Sequence, residues 1–97
     1  MEIRVVDIVP ETYTNEAGNA LYIHLKEVLK ERKSLVISFK GATAPSSSFL
    51  NSSFGALIED IGLQNFLSLV KPRELTPTQA QMLKHYIQGF KSDSTKH

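Results

Sequence analysis

No cysteine occurs among the 97 residues. That removes disulfide staples, thiolate metal sites and a cysteine nucleophile, and leaves apolar packing to hold a small fold together. An excess of one charge is missing as well. Eleven Lys and Arg against ten Asp and Glu leave a net charge of +1, which sets up no general field for nucleic acid or an anionic membrane. Long apolar runs are also absent. The longest uncharged stretch, Gly41 to Ile58, carries five serines and an asparagine and is too polar to span a bilayer. The opening Met1-Glu2-Ile3-Arg4-Val5-Val6-Asp7 has charges inside its apolar run, which spoils a signal peptide. The expected location is the cytoplasm.

What is present is ordinary for a globular domain: 41% hydrophobic and 22% charged residues. The length suits one domain, expected over residues 1–91, with a flexible polar tail at 92–97. Ile3 to Val9 is short, β-branched and ended by Pro10, so it reads as a strand near a sheet edge. Asn15 to Lys33 has helical spacing, with Ala17, Leu21, Leu25, Val28 and Leu29 on one stripe. Thr14 or Asn15 can cap this helix, and Lys26, Lys30, Arg32 and Lys33 suit its negative end. Leu35 to Phe39 reads as a buried central strand.

A second helix is expected from about Ser47 to Ile61, with Leu50, Phe54, Leu57, Ile58 and Ile61 inward and Gly62 as its stop. Phe66 to Val70 reads as a third strand ended by Lys71-Pro72. Thr76-Pro77-Thr78-Gln79 then opens a last helix through a capping box, with Ala80, Leu83, Ile87 and Phe90 inward. Alternating strand and helix predicts an α/β fold: a small βαβαβα sandwich whose mixed or mostly parallel sheet carries packed helices.

One segment is compositionally odd. Five of the ten serines fall between residues 46 and 53, in Pro45-Ser46-Ser47-Ser48-Phe49-Leu50-Asn51-Ser52-Ser53. They sit just past the carboxyl end of the central strand, where open α/β sheets tend to bind ligands. Ser46 or Ser47 is expected to cap the helix. A hydroxyl left exposed beside the positive helix end is a phosphorylation candidate, because phosphate there adds nearly two negative charges without refolding the domain. The same helix start could instead receive a small anion or a nucleotide phosphate. No catalytic set stands out, and His24, His85 and His97 have no credible metal spacing. His24, off the apolar stripe, is expected in solvent.

The segment Leu35-Val36-Ile37-Ser38-Phe39-Lys40-Gly41-Ala42-Thr43-Ala44-Pro45-Ser46-Ser47-Ser48-Phe49-Leu50 resembles the signature of STAS domains, in which a strand and a Gly-containing loop lead to Asp-Ser-Ser-Gly-Leu and a helix. More closely, Ser47-Ser48-Phe49-Leu50-Asn51 before Phe54-Gly55 resembles the bacterial and phage STAS-like family of unknown function. Asn15-Glu16-Ala17-Gly18 followed by Leu21 fits that family too, and the resemblance spans roughly residues 3 to 90. It implies a regulatory, non-enzymatic interaction domain without a cofactor.

In antagonist STAS domains the first serine of the pair is phosphorylated by a histidine-kinase-like ATPase partner, a position that falls on Ser47. Ser46 stands where those domains usually have Asp, and Phe49 where they have Gly. The implied partner face is Ser46, Ser47, Ser48, Phe49 and Asn51. No nucleic-acid or membrane partner is expected, and homodimerisation stays open, with the first segment as the candidate for pairing.

Overall fold

The computed structural model describes residues 2–31 and 34–95, with side chains as far as Phe90. In chain order the elements are β1 (Glu2–Arg4), α1 (Val5–Ile8), α2 (Asn15–Glu31), β2 (Leu35–Ser38), α3 (Ser47–Leu50), a π-helical segment (Asn51–Gly55), α4 (Ala56–Ile61), α5 (Leu63–Leu69), β3 (Val70–Arg73) and α6 (Pro77–Thr95). The three strands form one sheet in the order β1-β2-β3, both pairs parallel. The α/β architecture is the expected one, and the sheet is entirely parallel among the described residues.

Cross-strand register divides the sheet into two faces. Ile3 pairs with Ile37, and Leu35 with Val70; together with Phe39 these residues make the apolar face under the helices, Ile3 half-buried at its margin. Glu2, Arg4, Lys71 and Arg73 lie on the other face and are exposed. Four phenylalanines, 39, 49, 54 and 66, are fully buried. Phe54 meets Phe39 edge-on at 6.1 Å and Phe66 at 5.4 Å, tying the residue just past β2, the π-helical segment and α5 into one core. Burying each such side chain contributes about 1.5–3 kcal/mol.

Two expected strands are corrected. The strand expected over Ile3 to Val9 ends at Arg4, and Val5–Ile8 is a single helical turn. Val5 and Val9, four apart, are buried while both Val6 and Asp7 between them are exposed; alternation would have buried Asp7 with Val5 and Val9, so the pattern is helical. Phe66 to Leu69 is also helical, and only Val70 of that run is in a strand. Packing of Phe66 beneath Phe54 outweighs the β propensity of the run. Lys71-Pro72 belongs to β3 instead of ending it, which an edge strand tolerates because a proline there need not donate.

The helical expectations fare better. Ala17, Leu21 and Leu25 of α2 are buried, and the Ala17 N–H donates to Thr14 Oγ1 at 3.1 Å, so Thr14 serves as the cap. The basic helix end expected at Arg32 and Lys33 lies outside the described residues. α3, the π-helical segment and α4 run on without leaving helical φ/ψ, covering the helix expected from Ser47 to Ile61. Gly62 (φ 88°) stops it and opens α5 at once.

The π turn was not expected. It lies where α2 comes closest: a Cβ on Gly18 would stand 2.6 Å from the Phe49 carbonyl oxygen and 2.7 Å from Ser52 Cβ. Buried Ser53 donates to that same carbonyl at 2.7 Å. In α6, Leu83 is buried and Ile87 and Phe90 are half-buried, but Ala80 is exposed and Gln79 turns inward in its place. The helix continues past Phe90 to Thr95, into the segment expected to be tail.

Candidate functional site

The serine-rich helix start hangs on a loop that is tied at every step. Beyond β2, the Phe39 N–H donates to the Arg73 carbonyl at 3.0 Å, and the Ala42 N–H donates back to Phe39 at 2.9 Å. Two buried polar side chains then hold the loop backbone. Gln79 Nε2 donates to the Ala42 and Thr43 carbonyls at 2.8 and 3.2 Å. Thr12 Oγ1 donates to the Thr43 carbonyl at 2.9 Å, and the Ser46 N–H returns to the Thr12 carbonyl at 3.0 Å. Gln79 is itself locked, since the capping box is present: the Thr76 N–H donates to Gln79 Oε1 at 2.9 Å and the Gln79 N–H to Thr76 Oγ1 at 3.1 Å. One residue therefore caps α6 and supports the loop.

At the end of this loop the serines take different roles. Ser46 is the cap, its hydroxyl accepting from the Phe49 N–H at 3.1 Å. Ser47 and Ser48, in the first turn, are exposed. Ser52 donates to Asn15 Oδ1 at 3.0 Å and so joins α2. The expected five-residue face is not continuous. Phe49 is a core residue with no exposed surface, which corrects its assignment to the partner face. Asn51 is exposed, but its Oδ1 accepts from the Tyr86 hydroxyl at 2.7 Å, joining the π-helical segment to α6. Burial, then the Glu59 carboxylate, push the Tyr86 phenol above its ordinary pKa.

Sequence reasoning missed two neighbours of the loop. Val6 and Tyr13, 42% and 62% exposed, are two of the three large hydrophobic residues most open to solvent among those described. Both line a cavity of about 170 Å³ whose other wall is Gly41, Ala42 and Thr43. Isolated exposed apolar residues are commonplace, whereas two sharing a cleft with Thr12, whose carbonyl accepts from the Ser46 N–H, mark a place where another surface could be received. An aromatic residue inside the polar connection Glu11 to Thr14 was the available signal for Tyr13.

Several other polar side chains among the described residues are engaged elsewhere. Buried Ser38 donates to Glu74 Oε1 at 2.5 Å. Tyr22 donates to Asp60, and Lys26 Nζ lies 3.7 Å from that carboxylate and 3.4 Å from the Tyr22 hydroxyl. The Tyr22 hydrogen bond and then the Tyr22 and Asp60 charges hold the Lys26 ammonium above its ordinary pKa. His24 and His85 are exposed. Among the described residues, no group of three or more His, Cys, Asp or Glu is placed to hold a metal ion, and no helix is long and apolar enough to cross a membrane.

Residues 17–80 match the family model described as a STAS-like domain of unknown function, a span that holds the loop, the serines and Gln79. The chain belongs to that family. No curated protein and no solved structure gives a significant match. The STAS-like match begins at Ala17, after Val6, Thr12 and Tyr13, so one wall of the cleft is contributed from outside the matched span.

Proposed function

We propose that this STAS-like domain is a non-enzymatic, cytoplasmic regulatory module that docks a protein partner on the surface formed by Ser47, Ser48 and the Val6–Tyr13 cleft, and that phosphorylation of Ser47 switches the docking. The observation that carries this reading is the division of labour among the serines. Ser46 already supplies the cap, so the Ser47 hydroxyl is left exposed on a fixed backbone. The partner is a histidine-kinase-like ATPase. In the modifying step the γ-phosphoryl group of ATP passes to Ser47 Oγ, the hydroxyl proton goes to a base of the kinase, and ADP leaves. The added charge lies in the first turn of the helix, where the dipole favours it, so the modification changes the surface and not the fold.

The test is affinity capture from the native host, read by mass spectrometry, with wild type, Ser47→Ala and Ser47→Asp. Wild type and Ser47→Ala should retain an ATPase partner that Ser47→Asp loses, and wild type should carry phosphate on Ser47. Melting curves keep the comparison clean: a carboxylate in the first helical turn adds about 0.3–1 kcal/mol, so Ser47→Asp should melt no lower than wild type. Identical partners in all three forms, with no phosphate between residues 46 and 53, would refute the switch. A rise in melting temperature of the wild type with millimolar phosphate compounds would instead favour an anion-binding role for the same helix start.

A further inference from the structure

The two outer strands treat their free edges differently. β3 holds Pro72 between Lys71 and Arg73. A proline cannot donate to an added strand, and antiparallel self-pairing about Pro72 would set Lys71 opposite Arg73 of a second copy, cation against cation. That edge is guarded. β1 has the opposite pattern. It reads Glu2-Ile3-Arg4, and antiparallel self-pairing about Ile3 sets Glu2 opposite Arg4 of a second copy and Arg4 opposite its Glu2.

Both charges are exposed on the open face of the sheet, while Ile3 is half-buried on the helix side, so the three pairs match in charge on one face and in apolarity on the other. Beside this edge lies an open groove of about 440 Å³, with Ile3 and Ile8 in its wall. A two-fold axis needs a surface complementary to itself, and this edge meets that condition.

We infer that β1 is a homodimerisation edge: two copies join antiparallel through Glu2, Ile3 and Arg4 to make a six-stranded sheet in the order β3-β2-β1-β1-β2-β3. Three residues per edge supply less than the roughly 800 Å² per partner of a standard interface, so the dimer is weak and depends on concentration. The serine surface plays no part in this inference, and the dimer stands or falls apart from the phosphorylation switch.

Sedimentation velocity over a series reaching millimolar chain tests it. Wild type should shift from monomer to dimer. Glu2→Arg and Arg4→Glu each turn two attractive cross-strand pairs into repulsive ones and should weaken dimerisation about tenfold or more. An equimolar mixture of the two variants restores every pair in the antiparallel register and should recover dimer, as should the double reversal in one chain. Pro72→Val, at the other edge, should leave wild-type affinity unchanged. Circular dichroism checks that these surface variants remain folded. A wild type that stays monomeric throughout, single reversals that dimerise as well as wild type, or a mixture that fails to recover dimer would each overturn the inference.

Discussion

Gln79 offers the sharpest perturbation of the platform under the serines. Gln79→Met keeps the length and volume of the side chain but removes its donors and its acceptor. Three interactions disappear: the bond accepted from the Thr76 N–H and the two donated to the Ala42 and Thr43 carbonyls. The Gln79 N–H keeps its partner, Thr76 Oγ1, and the Thr43 carbonyl keeps Thr12. A hydrogen bond is worth about 1 kcal/mol net, and a buried group left without a partner costs about 1–3 kcal/mol.

The Ala42 carbonyl is the group most exposed to that penalty. The variant should therefore lose about 2–4 kcal/mol, a large part of the stability of a domain this size. At about 4–8 °C per kcal/mol, the midpoint in a thermal melt followed by circular dichroism should fall roughly 8–30 °C. Gln81→Met, on an exposed position two residues along, should stay within about 0.5 kcal/mol of wild type. Amide hydrogen exchange should localise the damage, with the Ala42 and Ser46 N–H groups losing protection in Gln79→Met. A Gln79→Met melt no lower than that of Gln81→Met would refute the claim that this glutamine holds the loop.

Two further expectations follow from close packing and from titration. Gly18→Ala should destabilise by about 1–3 kcal/mol in urea denaturation, although alanine favours a helix by about 1 kcal/mol over glycine, because the new Cβ meets the Phe49 backbone and Ser52; a gain in stability would show that α2 and the π-helical segment can move apart. Tyr86, held neutral by burial and by Glu59, should ionise later than an ordinary tyrosine, so stability is complete below the unfolded pKa of about 10 and is lost as pH rises through the higher native value. The difference between phenol titrations of wild type and Tyr86→Phe should therefore place the Tyr86 midpoint above the ordinary value of about 10; a difference midpoint at or below that value would refute it.

The elements readable from the residues alone were those whose signals are local. The α2 stripe, the Thr76–Gln79 capping box and the stop at Gly62 each rest on a spacing or a backbone requirement within a few positions, and each stands in the structure. The failures came where the deciding partner is distant in sequence. Ile3 to Val9 and Phe66 to Val70 are β-branched or aromatic enough to suggest strands, but only helical turns bury Val5 and Val9 while leaving both Val6 and Asp7 exposed, and bring Phe66 against Phe54. The π turn likewise answers to Gly18, on another helix.

The site divides along the same line. A crowd of serines at a helix start is plain in the sequence, yet which serine caps and which stays free depends on the path of the loop. That path is set by Thr12 and Gln79, which lie more than thirty residues to either side of the loop carbonyls they bind. Gln79 shows the cause most directly. Its spacing from Thr76 announced a capping box, which is a local role satisfied by its backbone N–H and its Oε1. Only the fold brings the remaining Nε2 to the Ala42 carbonyl, and the same residue thereby becomes the support on which an exposed Ser47 can be presented in one fixed position.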